Sequence, residues 1–191
     1  MQNFISQRAL GWLSLLLFIL TIPVGNWAVT NIGLVCVKDG PCLIPVAPNM
    51  MAPSAVLLAG FALVLRDAVQ SLLGKSWTLL AIVMGAAISG FLSDPVIVVG
   101  STCAFLFSEL ADFAVYTPLR ERHLSAAIVA SGLVGSIVDS FIFLSLAFGS
   151  LEFVIGQVIG KFWMSLIAGG ILIMYRRYRT NQGQTEKVAA V

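Results

Sequence analysis

The stretch LSAAIVASGLVGSIVDSFIFLSLAF, from Leu124 to Phe148, carries a single charge, Asp139. It is long enough to cross a bilayer, since a helix needs about 20 residues for a hydrocarbon core about 30 Å thick. It lacks the strict two-residue alternation of a barrel strand, so it reads as a helix. In lipid every backbone polar group must be satisfied internally, which a helix does alone. Outward from it lie five more such runs: Leu10–Val29, Ala52–Leu73, Ser76–Ser93, Pro95–Leu119 and Phe153–Tyr175. The expected fold is therefore an all-α integral membrane protein, one domain over residues 1–191 with six transmembrane helices.

Composition agrees. Of 191 residues, 59% are hydrophobic and 10% charged, and the net charge is only +2. Mean hydropathy is +0.97. A soluble domain of this size needs a far more polar surface. Disorder and a basic nucleic-acid-binding face are excluded on the same numbers.

Breaks between runs are marked by Gly74-Lys75, by an Asp94-Pro95 turn with Pro95 opening a helix, by Arg120–His123 and by Gly149-Ser150. Pro23 is expected to kink the first span. That span's apolar run exceeds a signal peptide's, and no small-x-small site follows it, so it is expected to be retained. The one long connection is 30–51, and the polar tail 176–191 is expected to fray. If both termini are cytoplasmic, nine Lys and Arg residues fall on the inner side (Arg8, Arg66, Lys75, Arg120, Arg122, Arg176, Arg177, Arg179, Lys187) and Lys38 alone outside. That asymmetry sets the orientation. Loop 30–51 is then extracytoplasmic. Its Cys36 and Cys42 flank an Asp39-Gly40 turn and either form a disulfide or remain two thiols. Cys103 reads as a packing residue.

A charge at a helix centre in lipid costs about 2.5–3.5 kcal/mol on insertion scales. Glu109, Asp112, Asp139 and Lys161 all carry that cost. Glu109, Asp112, Tyr116 and Arg120 form one stripe at i, i+3, i+7 and i+11, which must face the bundle interior. Gln157 and Lys161 share a face, as do Asp67, Gln70 and Ser71. Asp139 follows Gly132, Gly135 and Ser136, which admit a close neighbour. Arg66, Asp67 and Lys75 either snorkel at helix ends or join the interior.

The simplest assembly is one polar cavity, with Lys161 balanced by Asp139, Glu109 or Asp112 and an acidic excess left for a ligand's N–H groups. Tyr116 and Trp163 are candidates to stack on a planar ring. A purely structural ion network is the alternative. Gly156-x-x-x-Gly160 reads as internal packing before a dimer face. No nucleophile elbow, P-loop, dinucleotide fingerprint or zinc spacing occurs, so no enzyme, metal or cofactor is expected.

Four segments together resemble the VUT family, the queuosine-precursor transporters. They are Val64-Leu-Arg66-Asp67-Ala-Val-Gln70 with Leu73-Gly74; Ser108-Glu109-Leu-Ala-Asp112 through Tyr116-Thr-Pro118-Leu-Arg120; Ser131-Gly-Leu-Val-Gly135 through Asp139-Ser-Phe; and Gly156-Gln157 through Gly160-Lys161-Phe-Trp163-Met. The resemblance spans 52–168, while the first span and outer loop match nothing identified. It implies a multi-pass importer of 7-deazaguanine bases (preQ0 or preQ1) in a bacterial plasma membrane, serving tRNA modification. Its fold would be similar to the six-helix substrate-binding subunits of energy-coupling-factor vitamin transporters. Substrate-binding residues would be Arg66, Asp67, Gln70, Glu109, Asp112, Tyr116, Asp139, Gln157, Lys161 and Trp163. The partner is a small planar base, not a nucleic acid. The alternatives are a vitamin-binding subunit needing a separate energising module and, less favoured, an intramembrane enzyme. A homodimer or an energising partner is compatible with either transporter reading.

Overall fold

The computed structural model describes residues 2–38, 40–92 and 98–189. Asp39 and the expected Asp94-Pro95 turn, with the span ends Ser93 and Pro95, lie outside those residues. Among the described residues six helices form: α1 (Gln2–Asn31), α2 (Val56–Leu72), α3 (Lys75–Leu92), α4 (Val98–Leu119), α5 (Leu124–Phe148) and α6 (Val154–Ala189). In α1, α3, α4, α5 and α6 the helix or a segment of it is long and apolar enough to cross a membrane. The sixth, α2, has 17 residues and rises about 25 Å, somewhat under the bilayer core. It runs antiparallel to α1, with Gly25 beside Ala55 and Leu58 at one end and Gly11 against Leu72 and Leu73 at the other.

Helix ends follow their residues. Gly74 at φ 93° separates α2 from α3, and Gly149 at φ 63° ends α5, both in the left-handed region that a side chain disfavours. Helix α1 continues through Pro23 to Asn31. The tail expected to fray is helical to Ala189. No break occurs between it and the last apolar turn, and the segment is rich in residues that favour helix.

The structure is mostly helical, as expected, but the connection expected as a loop is partly a small sheet. Strands β1 (Val35–Cys36), β2 (Cys42–Ala47) and β3 (Met50–Pro53) pair antiparallel in that order. Pro48 and Asn49 join β2 to β3, and Asn49 takes the positive φ, 58°, that a tight turn asks of its residue. Pro45 sits where β2 has left β1, beside an irregular register. The second span accordingly begins at Val56 rather than Ala52. Pro53 biases Ala52 away from helix, and Leu43 and Pro53 pair across the strands instead. A disulfide joins Cys36 to Cys42 across β1 and β2. Ser54 Oγ donates to the Ala28 carbonyl at 2.7 Å, tying the sheet's end to α1.

Burial is inverted relative to a soluble protein. Leu13, Leu16, Leu20 and Trp27 of α1 are exposed, while Ser14, Phe18, Thr21 and Ile22 face inward. Arg66, Asp67, Gln70, Glu109, Asp112 and Lys161 are all buried. This is the arrangement expected when the surrounding solvent is hydrocarbon.

Candidate functional site: two ion clusters and a cavity

The inward charges do not form one network. The first cluster surrounds Arg66, which is 0% exposed and therefore does not snorkel. Its Nη1 lies 2.7 Å from Asp67 Oδ1, its Nε donates to Glu109 Oε2 at 3.1 Å, and its Nη2 pairs with Asp112. Nη1 also reaches Gln70 Oε1 at 3.5 Å. A guanidinium can serve this many partners because it offers five N–H donors in a fixed plane. The Tyr116 ring lies 5.6 Å from Arg66 Cζ, and its hydroxyl donates to the Asp67 carbonyl at 3.3 Å. Gln70 Nε2 donates to Thr117 Oγ1 at 2.9 Å, and Arg120 Nη1 donates to the Gln70 carbonyl at 2.7 Å. The expected stripe on α4 therefore faces inward as its spacing requires, with Glu109, Asp112 and Tyr116 buried. Gly135 of α5 makes the room, since a Cβ there would lie 3.1 Å from Asp112 Cβ.

The second cluster surrounds Lys161. Its ammonium donates to Asp139, to Ser140 Oγ at 2.9 Å and to Gln157 Oε1 at 2.6 Å. Ser108 Oγ donates to the other Asp139 oxygen at 3.4 Å. The Asp139 side chain is 19% exposed, against 2% for Lys161. Arg66 lies six residues beyond Gly60, about 9 Å along α2, and Gly60 abuts the Lys161 backbone. A Cβ at Gly60 would lie 2.6 Å from the Lys161 carbonyl oxygen and 2.7 Å from its Cα. Neither atom can move without shifting α6. Gly60→Ala is expected to destabilise the protein by about 1–3 kcal/mol, read as a lower melting temperature in detergent.

One cavity opens beside the second cluster. All six helices line it, with Asn26, Ala59, Ser89, Ser101, Asp139 and Lys161 among the contributors. Val29, Pro53 and Ala55 carry its lining to the sheet end of the bundle. A separate groove with mostly apolar walls reaches Asp67 and Tyr116 from between α2, α4, α5 and α6.

Of the ten expected site residues, Asp139, Gln157 and Lys161 line the cavity, and Asp67 and Tyr116 line the groove. Arg66, Gln70, Glu109 and Asp112 line neither and are engaged with one another and their neighbours. Balancing Lys161 with Glu109 or Asp112 is corrected, because Arg66 takes both. Trp163 lines neither cavity nor groove and is 48% exposed, because two residues past Lys161 a side chain points about 200° round the helix. Gly156 and Gly160 pack on Met51 and Ala52 and on Val46 and Val56, so the small-residue pattern serves the sheet contact. Asn26, Phe105 and Phe143 line the cavity and were not expected. On α1, Ile22, Asn26 and Val29 share a helical face, and that periodicity was the available signal for Asn26.

Apolar helices outside and charged groups around a cavity inside define a multi-pass membrane protein with an interior polar site. The family described as "Putative vitamin uptake transporter" matches residues 89–175, so this part of the chain is similar to a transporter family rather than an enzyme family. The matched segment contains Glu109, Asp112, Tyr116, Asp139, Gln157, Lys161 and Trp163. No curated protein and no solved structure matches the chain.

Proposed function

We propose that the chain is a VUT-family importer of 7-deazaguanine precursors of queuosine, acting in a bacterial plasma membrane. The observation that carries this reading is the cavity beside Asp139, Lys161 and Gln157. The partly exposed Asp139 carboxylate accepts from the ring N–H groups of a planar base, and Phe105 and Phe143 supply apolar contact for the ring faces. Beside the cavity the Asp139 and Lys161 charges balance, while the three carboxylates gathered on Arg66 belong to the other cluster.

In this reading α2 crosses the membrane beside α1, both termini are cytoplasmic, and the disulfide-linked sheet lies outside. The charge asymmetry supports that orientation with Arg66 removed from the count, leaving eight Lys and Arg against Lys38. Lys75, Arg120 and Arg122 lie at the bundle end opposite the sheet. An oxidising exterior is also where a disulfide persists.

The test uses a host lacking both its own precursor synthesis and its own importer. Expression of this chain with precursor in the medium is expected to restore queuosine in tRNA, and no restoration overturns the substrate assignment. The word "vitamin" in the description of the matching family favours one second reading, a vitamin-binding subunit that needs an energising module. Uptake into liposomes by the purified chain alone would exclude that dependence.

A further inference from the structure

The reading above rests on a base held in the cavity, and it leaves the ligand's carbonyl without an assigned donor. Lys161 is not free to serve. An ammonium has three N–H donors, and Asp139, Ser140 and Gln157 accept from all three. Donating to a ligand would require giving up one of these bonds inside a membrane helix.

Helix α1 offers a different donor. Asn26 lines the same cavity as Asp139, and its Nδ2 is buried with no hydrogen-bond partner among the described residues. An unpaired buried amide N–H is costly, and that cost is recovered when an acceptor arrives. The Ser54 hydroxyl holds this end of α1 in place, donating to the Ala28 carbonyl at 2.7 Å, and the disulfide sulfur of Cys42 packs 3.5 Å from the Thr30 carbonyl oxygen. A donor on so anchored a backbone has little freedom left to lose on binding. Thr102 Oγ1 is also buried and unpartnered, but it faces Gly90 of α3 and does not line the cavity.

We propose that Asn26 is a specificity-determining residue, its amide donating to the ligand's ring carbonyl while Asp139 accepts from ring N–H groups. Together the two side chains read a lactam edge, the adjacent C=O and N–H of a guanine-type ring. They reject a ring whose carbonyl is replaced by an amino group, which would set donor against donor.

The test is equilibrium binding of 7-deazaguanine and of 7-deazaadenine, which lacks the carbonyl, to the full chain in detergent. Wild type is expected to favour 7-deazaguanine by at least about tenfold, since a site built on hydrogen bonds discriminates strongly when one is lost. Asn26→Leu keeps the volume and removes the donor, and is expected to weaken 7-deazaguanine by about tenfold and to shrink the preference by a similar factor; what remains is the contribution of Asp139, which meets an N1–H in 7-deazaguanine and a bare N1 in 7-deazaadenine. Asn26→Ser restores a donor and is expected to recover part of the preference, which also covers the case in which Asn26→Leu fails to fold. A preference undiminished in Asn26→Leu, or reduced equally in Asn26→Ser, overturns the assignment of Asn26 and leaves the transport reading standing. Wild type that binds neither base overturns the transport reading for this ligand class and the assignment of Asn26 with it.

Discussion

Arg66→Leu is expected to cost about 3–5 kcal/mol of stability and to leave most of the protein misfolded in the membrane. Removing one partner of a buried ion pair leaves an uncompensated charge, and here the loss strands three carboxylates at once. Asp67, Glu109 and Asp112 are 0–3% exposed, so water cannot replace the guanidinium. Gln70 and Tyr116 lose contacts as well, at 3.5 Å and across the ring face. The measurement is the yield and melting temperature of detergent-solubilised protein. Glu109→Gln supplies the contrast: it keeps an acceptor for Arg66 Nε and removes one of the excess negative charges, so its cost should be far smaller. Equal stability of Arg66→Leu and wild type would show that the cluster does not hold the bundle together. Arg66→Lys should fall between, because a compact ammonium cannot reproduce the planar fork that addresses three carboxylates.

Asp139→Asn is expected to reduce 7-deazaguanine binding by about a hundredfold or more, with a smaller fall in melting temperature than Arg66→Leu, because Lys161 loses its carboxylate but keeps neutral acceptors. The carboxylate lines the cavity and is the most exposed of the four interior acids. Hydrogen bonds to a charged acceptor are roughly twice as strong as neutral ones, and Asn presents one oxygen where Asp presents two. Lys161 retains Ser140 and Gln157 as acceptors, so the fold loses less than the site does. Binding is read by calorimetry on the purified chain, with the melting curve as the control for folding. Unchanged affinity would move Asp139 from ligand contact to a structural ion pair. Asp112→Asn should behave in the opposite way, with stability falling more than affinity, because Asp112 is fully buried on Arg66 and lines neither cavity nor groove.

That contrast shows where the sequence was legible. Spacing placed Glu109, Asp112 and Tyr116 on one inward stripe, and the helix carries them there because lipid makes the other faces unaffordable for a carboxylate. The breaks at Gly74 and Gly149 were legible for the same local reason, a backbone that only glycine adopts easily. Residues 35–53 were not. Their strands are two, six and four residues long, too short for a periodic signal, and they pair across a turn set by Pro48 and Asn49.

By itself the sequence determined that the chain is a bundle of apolar helices with its charges turned inward, because those consequences follow from hydropathy and helical period alone. Only the tertiary structure decided which acid meets which base. Arg66 gathers three carboxylates from α2 and α4, Lys161 keeps Asp139, Trp163 turns outward, and Asn26 reaches the cavity from a stretch of α1 without charge. Those partnerships depend on the rotation and depth of one helix against another. Helix period constrains a single helix, whereas rotation and depth are set by side chains on both, such as the absent Cβ of Gly60 and of Gly135.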